Sequence, residues 1–108
     1  MKKILCTLAV VVSLTTPVHA TDNWQASCKS ASRLSRMIMQ LRQDGKDLSG
    51  VMDAISKTGD SDSQKMATDL VMEAYKEPRY QTAEMQQKSV DDFANDIYLR
   101  CAEELKGK

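Results

Sequence analysis

The side chains best suited to nucleophilic or metal chemistry in this chain are three cysteines and one histidine. Cys6 and His19 lie in an N-terminal segment with the pattern of an export signal, so we expect both to be absent from the finished protein. We expect the other two cysteines, Cys28 and Cys101, to pair as a disulfide because exported proteins fold in an oxidising compartment. Neither sulfur is then a free nucleophile, and the histidine and thiolate ligands of a transition metal are missing.

Carboxylates are the remaining groups that could act in acid–base catalysis. Asp91 and Asp92 are adjacent on a predicted helix and therefore point in different directions, which is typical of a solvated face. Residues 60–64 resemble the opening of a calcium loop, but Lys65 stands where the loop needs glycine and Val71 where it needs glutamate. We therefore expect a protein that is not an enzyme, with no catalytic residue, no metal and no cofactor.

The first twenty residues have the three parts of a secretory signal peptide. Residues 1–3 are basic, residues 4–14 are eleven largely apolar residues, and Val18 and Ala20 fit the −3 and −1 positions of a signal-peptidase site. We predict cleavage after Ala20, which leaves residues 21–108 in the periplasm or secreted. A transmembrane anchor needs about 20 apolar residues, more than the eleven of residues 4–14, and cleavage removes that stretch. We therefore expect no stable membrane insertion after cleavage.

Size and charge restrict the remaining chain to one small domain. Without Lys2 and Lys3, its 88 residues carry 13 basic and 15 acidic side chains, a net charge of about −2. This balance argues against nucleic acid as a partner, because nucleic-acid-binding domains are usually marked by basic surfaces. A domain of this size buries only about 60–65% of its unfolded surface, so a disulfide helps to stabilise it.

Apolar residues recur every three or four positions after residue 22, which is the period of an amphipathic α-helix. Gly45, Gly59 and Pro78 interrupt the pattern, and Ser61 is expected to cap the third helix with Gln64 reaching back to it. We predict an all-α, single-domain four-helix bundle with one disulfide, made after the signal peptide is removed. Its helices are predicted over about residues 23–44, 48–57, 61–77 and 81–106.

The disulfide would make the first and fourth helices antiparallel neighbours, because Cys28 lies early in one and Cys101 late in the other. The charges agree, since residues 23–43 carry four basic side chains and no acid, whereas residues 81–105 carry six acids and two bases. We favour pairing between these helices over contact of the basic helix with lipid headgroups or glycans. The core stripe of the first helix is predicted to comprise Trp24, Cys28, Ala31, Leu34, Ile38 and Leu41.

The turns near residues 45–47 and 78–80 are expected to meet at the end of the bundle opposite the disulfide. From Cys28 the first helix rises about 24 Å at 1.5 Å per residue, and the fourth helix covers a similar height in reverse. We predict a candidate interaction surface at this end, formed by Arg42, Lys46, Arg79 and Tyr80.

Methionines allow two interpretations, because a flexible thioether can line an adaptable groove or fill gaps in a core. At helical spacing we favour the core position. The six methionines concerned are Met37, Met39, Met52, Met66, Met72 and Met85.

Several short motifs resemble those of a group of short, uncharacterised exported proteins found in proteobacteria and their phages or prophages. The resemblance covers nearly all of residues 21–108 and implies the same two-cysteine helical domain, without implying an activity. The motifs are Ile38-Met39, Leu41-Arg42-Gln43-x-Gly45, Ala74-Tyr75-x-x-Pro78-Arg79-Tyr80-x-Thr82-x-Glu84 and Asp92-Phe93-x-Asn95-x-x-Tyr98-x-x-Cys101.

The functional expectation is a small periplasmic protein that acts by binding another protein, as a binder, an inhibitor or an immunity-like protein. The alternative is a periplasmic stress chaperone that holds unfolded clients through its apolar and methionine-rich surface. The sequence does not identify the partner, and it leaves a monomer and a dimer equally open.

Overall fold

The computed structural model describes residues 20–106, with side chains from residue 23 onward. Within this range it contains four α-helices and no strand. The predicted all-α, four-helix fold with a Cys28–Cys101 disulfide is confirmed. The predicted signal peptide lies outside the described residues, apart from its last residue. The helices are α1 (Ala20–Gln43), α2 (Leu48–Ser56), α3 (Ser61–Lys76) and α4 (Ala83–Lys106).

Helix α1 ends at a turn that depends on a glycine. Gly45 has a φ of +81°, in the left-handed region that favours glycine. Its N–H donates to the carbonyl of Arg42 at 3.1 Å, and the N–H of Lys46 donates to the carbonyl of Leu41 at 3.0 Å. This pair of bonds is the Schellman motif, and it satisfies carbonyls that the end of the helix would otherwise leave unpaired.

The start of α3 differs from the prediction in the residue that caps it. Asp60, not Ser61, is the N-cap, and its carboxylate accepts a hydrogen bond from the N–H of Ser63 at 2.7 Å. Asp60 has the extended backbone that an N-cap needs, and the bond from Ser63 lowers the pKa of its carboxyl group. The Gln64 amide turns instead to the end of α2, where it donates to the carbonyls of Ser56, Thr58 and Gly59.

Helices α1 and α4 form the most extensive contact in the described part of the chain. The Cα atoms of Cys28 and Cys101 are 5.5 Å apart, so the start of α1 lies beside the end of α4 and the two helices are antiparallel, as predicted. Halfway along, the hydroxyl of Ser32 donates to the backbone carbonyl of Ala94 at 3.0 Å. The small residue Ala94 is fully buried at this crossing.

The predicted charge pairing between α1 and α4 occurs at one position among the described residues. Arg36 pairs with Asp91, and its hydrogen bond is the main reason why the pKa of the Asp91 carboxyl group is lowered. Lys29 and Arg33 form no ion pair with another described residue. Both partners of the Arg36–Asp91 pair are half exposed, so it adds little to the stability of the fold.

The core lies between α1, α3 and α4, with a single buried residue from α2. The predicted stripe of α1 is correct for Cys28, Ala31 and Ile38, but Leu34 and Leu41 remain partly exposed. They are exposed because α2 packs on α3 and makes no comparably extensive contact with α1. The main core cluster consists of Ala31, Ile38, Met39, Val51, Leu70, Val71, Ala74, Val90, Phe93 and Ile97.

Candidate binding site

An open apolar groove runs between α1 and α2. Its volume is about 470 Å³, within the range of small ligand sites. Lys46 and Asp47 are its only charged lining residues, and both lie at the end where the chain turns from α1 into α2. The rest of the lining comprises Leu34, Met37, Ile38, Leu41, Gly50, Val51, Ala54, Ile55 and Thr58.

The α1 wall of the groove exists because the apolar face of α1 is wider than its neighbours can cover. Ile38 is buried and forms the floor, whereas Leu34 and Leu41, at helical spacing on either side of it, are only partly buried. Met37 stands at the outer edge with 63% of its surface exposed. Apolar side chains therefore line the groove over about two turns of α1.

The α2 wall is open because of a glycine. A Cβ atom placed on Gly50 would meet no atom within 4 Å, so the space beside this residue is empty. Its neighbour Val51 is the one buried residue of α2 and turns inward to the core. Helix α2 is thus held by Val51 and by the partly buried Met52 and Ile55, and its glycine faces the groove.

The end of the bundle opposite the disulfide brings together the two turns that were expected to meet there. The Tyr75 hydroxyl, on the last turn of α3, donates to the carbonyl of Lys46 at 2.8 Å. The Nε atom of Arg79 donates to the carbonyl of Gln43 at 2.8 Å. The Arg79 guanidinium group also lies against Gly45, where an added Cβ would come within 3.1–3.2 Å of it.

Gln43 holds this end of the molecule together, a role that no sequence pattern predicted. Its side chain has no exposed surface. The amide Nε2 donates to the carbonyl of Pro78 at 2.9 Å, and the amide Oε1 accepts from the N–H of Tyr80 at 2.8 Å. A buried residue that joins two chain segments in this way is costly to remove, because its partners would lose their hydrogen bonds inside the protein. We call Gln43, Pro78 and Tyr80 the glutamine latch.

The four residues predicted as an interaction surface occupy different environments. Arg42 donates to the carbonyl of Glu77 at 3.0 Å and lies over the ring of Tyr75, 5.3 Å from its centroid. Arg79 is bonded to the end of α1, and the backbone of Tyr80 belongs to the glutamine latch. Lys46 alone lines the α1–α2 groove. Contact of these four residues with a partner stays a prediction.

The preference for methionines in the core is wrong for four of the six. Met39 is fully buried and Met52 is partly buried against the core. Methionine is unbranched and flexible and occurs both in cores and on adaptable binding surfaces, so its spacing alone does not decide burial. The exposed fractions are 63% for Met37, 44% for Met66, 50% for Met72 and 41% for Met85.

Gly50 and the half-buried leucines of α1 are the groove residues that sequence reasoning did not select. The main signal was the position of Gly50 on a short helix, where a glycine lowers helix stability by up to ~1 kcal/mol relative to alanine. Such a cost at an internal helix position indicates a constraint on that face of the helix. The width of the apolar arc on α1, from Leu34 to Met37, was a second and weaker signal.

The described residues contain no candidate metal cluster and no candidate membrane span. Across residues 20–106, no three His, Cys, Asp or Glu side chains are grouped so that they could hold a metal ion. None of the helices in this range is long and apolar enough to cross a membrane. Comparisons with protein-family models, with curated protein sequences and with solved structures find no match to this chain.

Proposed function

We propose that this protein acts in the periplasm by binding another protein, and that the α1–α2 groove is its docking surface. The observation that carries the proposal is the open groove itself, an apolar surface lined from two helices with Met37 63% exposed at its edge. Water leaves such a surface favourably when a partner covers it, at about 25 cal/mol per Å² of apolar area. Exposed apolar surfaces of this kind mark interaction sites.

The occupant that fits is the apolar face of an α-helix of the partner. The groove is bounded by two helices, so a third helix placed in it would complete the packing that α2 and α1 do not make with each other. Its α1 wall extends from Leu34 to Leu41, a rise of about 10 Å, which matches two turns of a partner helix. The charges of Lys46 and Asp47 cancel and the other lining residues are uncharged. We therefore expect the partner helix to place uncharged side chains in the groove.

The compartment is part of the proposal. A secretory signal pattern precedes the domain, and the two cysteines form a disulfide, which persists in oxidising compartments such as the periplasm. The resemblance to exported two-cysteine helical proteins of proteobacteria and their phages is consistent with this location. An inhibitor or immunity-like protein of the envelope would use a surface of this kind against one dedicated partner.

A stress chaperone is the second candidate, and the exposed methionines favour it. Met66, Met72 and Met85 lie outside the α1–α2 groove, so apolar thioethers are spread over several faces. Such side chains adapt to many client surfaces. A chaperone would suppress the aggregation of unrelated unfolded proteins and would bind an apolar dye at low pH, whereas a dedicated binder would do neither.

Gly50 allows a matched test of the groove. Because the space beside it is empty, Gly50→Phe would fill the groove and leave the core untouched, and Gly50→Ala would leave the groove largely open. The tagged protein and both variants are expressed with the signal sequence, cross-linked in cells and purified from the periplasm. Captured proteins are identified, purified and titrated against each variant by calorimetry.

The proposal expects one partner that binds the wild type and Gly50→Ala alike. Gly50→Phe should lower the affinity for this partner by at least about 30-fold, or roughly 2 kcal/mol of binding free energy. Equal binding by Gly50→Phe, with circular dichroism and thermal unfolding confirming an intact fold, would exclude the groove as the docking surface. Capture of many unrelated proteins, together with suppressed aggregation of unfolded clients, would favour the chaperone.

A further inference from the structure

A second surface depression lies at the disulfide end of the bundle, where α1, α3 and α4 converge. We call it the α3–α4 trough, and its volume is about 450 Å³. Buried Ala31, Leu70 and Ile97 form its floor. Two large apolar side chains stand on its sides and remain exposed, Met66 at 44% and Leu105 at 37%. The floor and sides are therefore apolar, like those of the α1–α2 groove.

The rim of the trough differs from that of the groove because it carries negative charge. Asp69, Glu73 and Glu104 line it, against Arg100 as the single basic residue. The Arg100 guanidinium group is already bound, because it donates to both carboxylate oxygens of Glu73 at 2.8 and 2.9 Å and lies 3.3 Å from Asp96. The neighbouring carboxylates hold the pKa of Arg100 above its usual value.

Two of the three rim carboxylates have little compensation. Asp69 meets Lys65 only at 3.9 Å, with both side chains at least 70% exposed. Glu104 forms no ion pair with another described residue. A ligand that brought positive charge to this rim would therefore find carboxylates available on both sides of an apolar floor.

We propose that the α3–α4 trough binds a basic amphipathic helix of a partner protein. Apolar side chains of that helix would cover Met66, Leu105 and the floor, and lysine or arginine side chains at the next positions around it would reach Asp69 and Glu104. The lining of α4 extends from Ile97 to Leu105, about 12 Å, which accommodates two turns of a helix. This site is separate from the α1–α2 groove, so either can fail without the other.

Glu103 and Glu104 provide a matched pair for the test. Both are exposed and adjacent on α4, but only Glu104 lines the trough. Glu103→Lys and Glu104→Lys change the net charge equally, so a difference between them reports contact and not long-range attraction. Met66→Gln and Met72→Gln form a second pair, because both methionines are exposed on α3 and only Met66 lines the trough.

The probe is an amidated peptide of about 14 residues, with leucines along one helical face and lysines on the other. A peptide with glutamate in place of lysine is the control. The oxidised protein, purified from the periplasm, is titrated by calorimetry and its amide shifts are followed by NMR. The Gly50→Phe variant is titrated in parallel to remove binding at the α1–α2 groove.

The proposal predicts that the lysine peptide binds Gly50→Phe as it binds the wild type, with shifts centred on residues 66–73 and 97–105. In the Gly50→Phe background, Glu104→Lys should raise the Kd about tenfold and Glu103→Lys less than about twofold. Met66→Gln should also weaken binding more than Met72→Gln. High salt should lower the affinity, because the rim charges are exposed.

Three results would overturn the proposal. Equal weakening by Glu103→Lys and Glu104→Lys would mean attraction by net charge without contact at the trough. Equal binding of the glutamate peptide would mean that the rim charge does not select the ligand. The third result is a free protein that sediments as a dimer and becomes a monomer in the Met66→Gln variant but not in the Met72→Gln variant. It would show that a second copy of the chain covers the trough.

Discussion

Helices α4 and α2 both neighbour α1, and they are attached in very different ways. Helix α4 is joined to α1 by the disulfide, by the hydrogen bond from Ser32 to Ala94 and by the buried side chains Val90, Phe93, Ala94 and Ile97. Helix α2 has nine residues and a single buried side chain, Val51. Met52 and Ile55 add partly buried contacts. The Gln64 amide bonds to one end of the helix, and the Tyr75 hydroxyl reaches Lys46 at the other.

The difference separates the contact that keeps the fold from the contact that leaves the α1–α2 groove open. The extensive packing between α1 and α4 stabilises the bundle. The loose contact between α1 and α2 contributes less to stability and leaves apolar side chains in water. Binding surfaces are commonly drawn from such weakly held regions, because a partner can supply the packing that the free protein lacks. Four predictions test this contrast, in decreasing order of effect.

Reduction of the disulfide should have the largest effect. The bond closes a loop with a sequence separation of 73 residues, so reduction should lower the free energy of unfolding by about 4 kcal/mol through the gain of entropy in the unfolded chain. Urea titrations of the oxidised and reduced protein measure the difference. The Cys28→Ser, Cys101→Ser double variant is the control and should not respond to reductant. A loss below about 1 kcal/mol would mean that packing alone holds α1 to α4.

Gln43→Ala should be the next most costly change. It removes the side chain of the glutamine latch and leaves the Tyr80 N–H and the Pro78 carbonyl without their partner, so we expect a loss of about 2–3 kcal/mol. Gln40→Ala is the control, since Gln40 bonds only to the exposed carboxylate of Asp44. That variant should change stability by less than about 0.5 kcal/mol. An equal loss of unfolding free energy in both variants would mean that the glutamine latch does not stabilise this end of the molecule.

Hydrogen exchange should distinguish α2 from α4 in the unmodified protein. Amides of α2 should open with a free energy at least about 2 kcal/mol below that of the buried amides of α4 near Val90 and Phe93, because Val51 is the only side chain of α2 that is more than partly buried. Exchange followed residue by residue by NMR, under conditions where opening is at equilibrium, measures both. Equal protection of the two helices would contradict a weakly held α2.

Gly50→Ala should have the smallest effect and the opposite sign. The added methyl group meets empty space and favours the helix, so the free energy of unfolding should rise by about 0.5–1 kcal/mol. Gly45→Ala is the contrasting change, because that residue has a φ of +81° and its new Cβ would press on the Arg79 guanidinium group. It should destabilise the protein by more than about 1 kcal/mol. A destabilising Gly50→Ala would mean that the groove is closed at this point.

Most features predicted correctly are decided by nearby residues, and the antiparallel helix pair follows from the disulfide. Helical periodicity, Gly45 and Gly59 as breaks between helices, and two cysteines at opposite ends of the helical segment were enough for the four helices and the antiparallel pair. The α3 cap was missed by one residue, because Asp60 and Ser61 are both good caps by type. The backbone of Asp60, which decides between them, is set by the turn that leaves α2.

The features that were missed depend on which distant segment covers a given face. Gln43 is a residue type usually found at the surface, and its partners lie 35 to 37 positions away, so no local pattern marks it as buried. The groove has the same origin. Leu34 and Leu41 belong to the apolar stripe of α1, but they remain partly exposed because α2 packs on α3 and makes no comparably extensive contact with α1.

Site-specific photo-cross-linking in cells can show whether a partner occupies the α1–α2 groove. Met37 and Met72 are both methionines with at least half of their surface exposed, and only Met37 lines the α1–α2 groove. Each is replaced by p-benzoylphenylalanine, and the cells are irradiated before the periplasm is analysed. If the groove is the docking surface, position 37 should give a discrete cross-linked partner that is absent from position 72 and lost when Gly50→Phe is combined with the position-37 probe. The same products from both positions, or none from position 37, would contradict the groove as the docking surface.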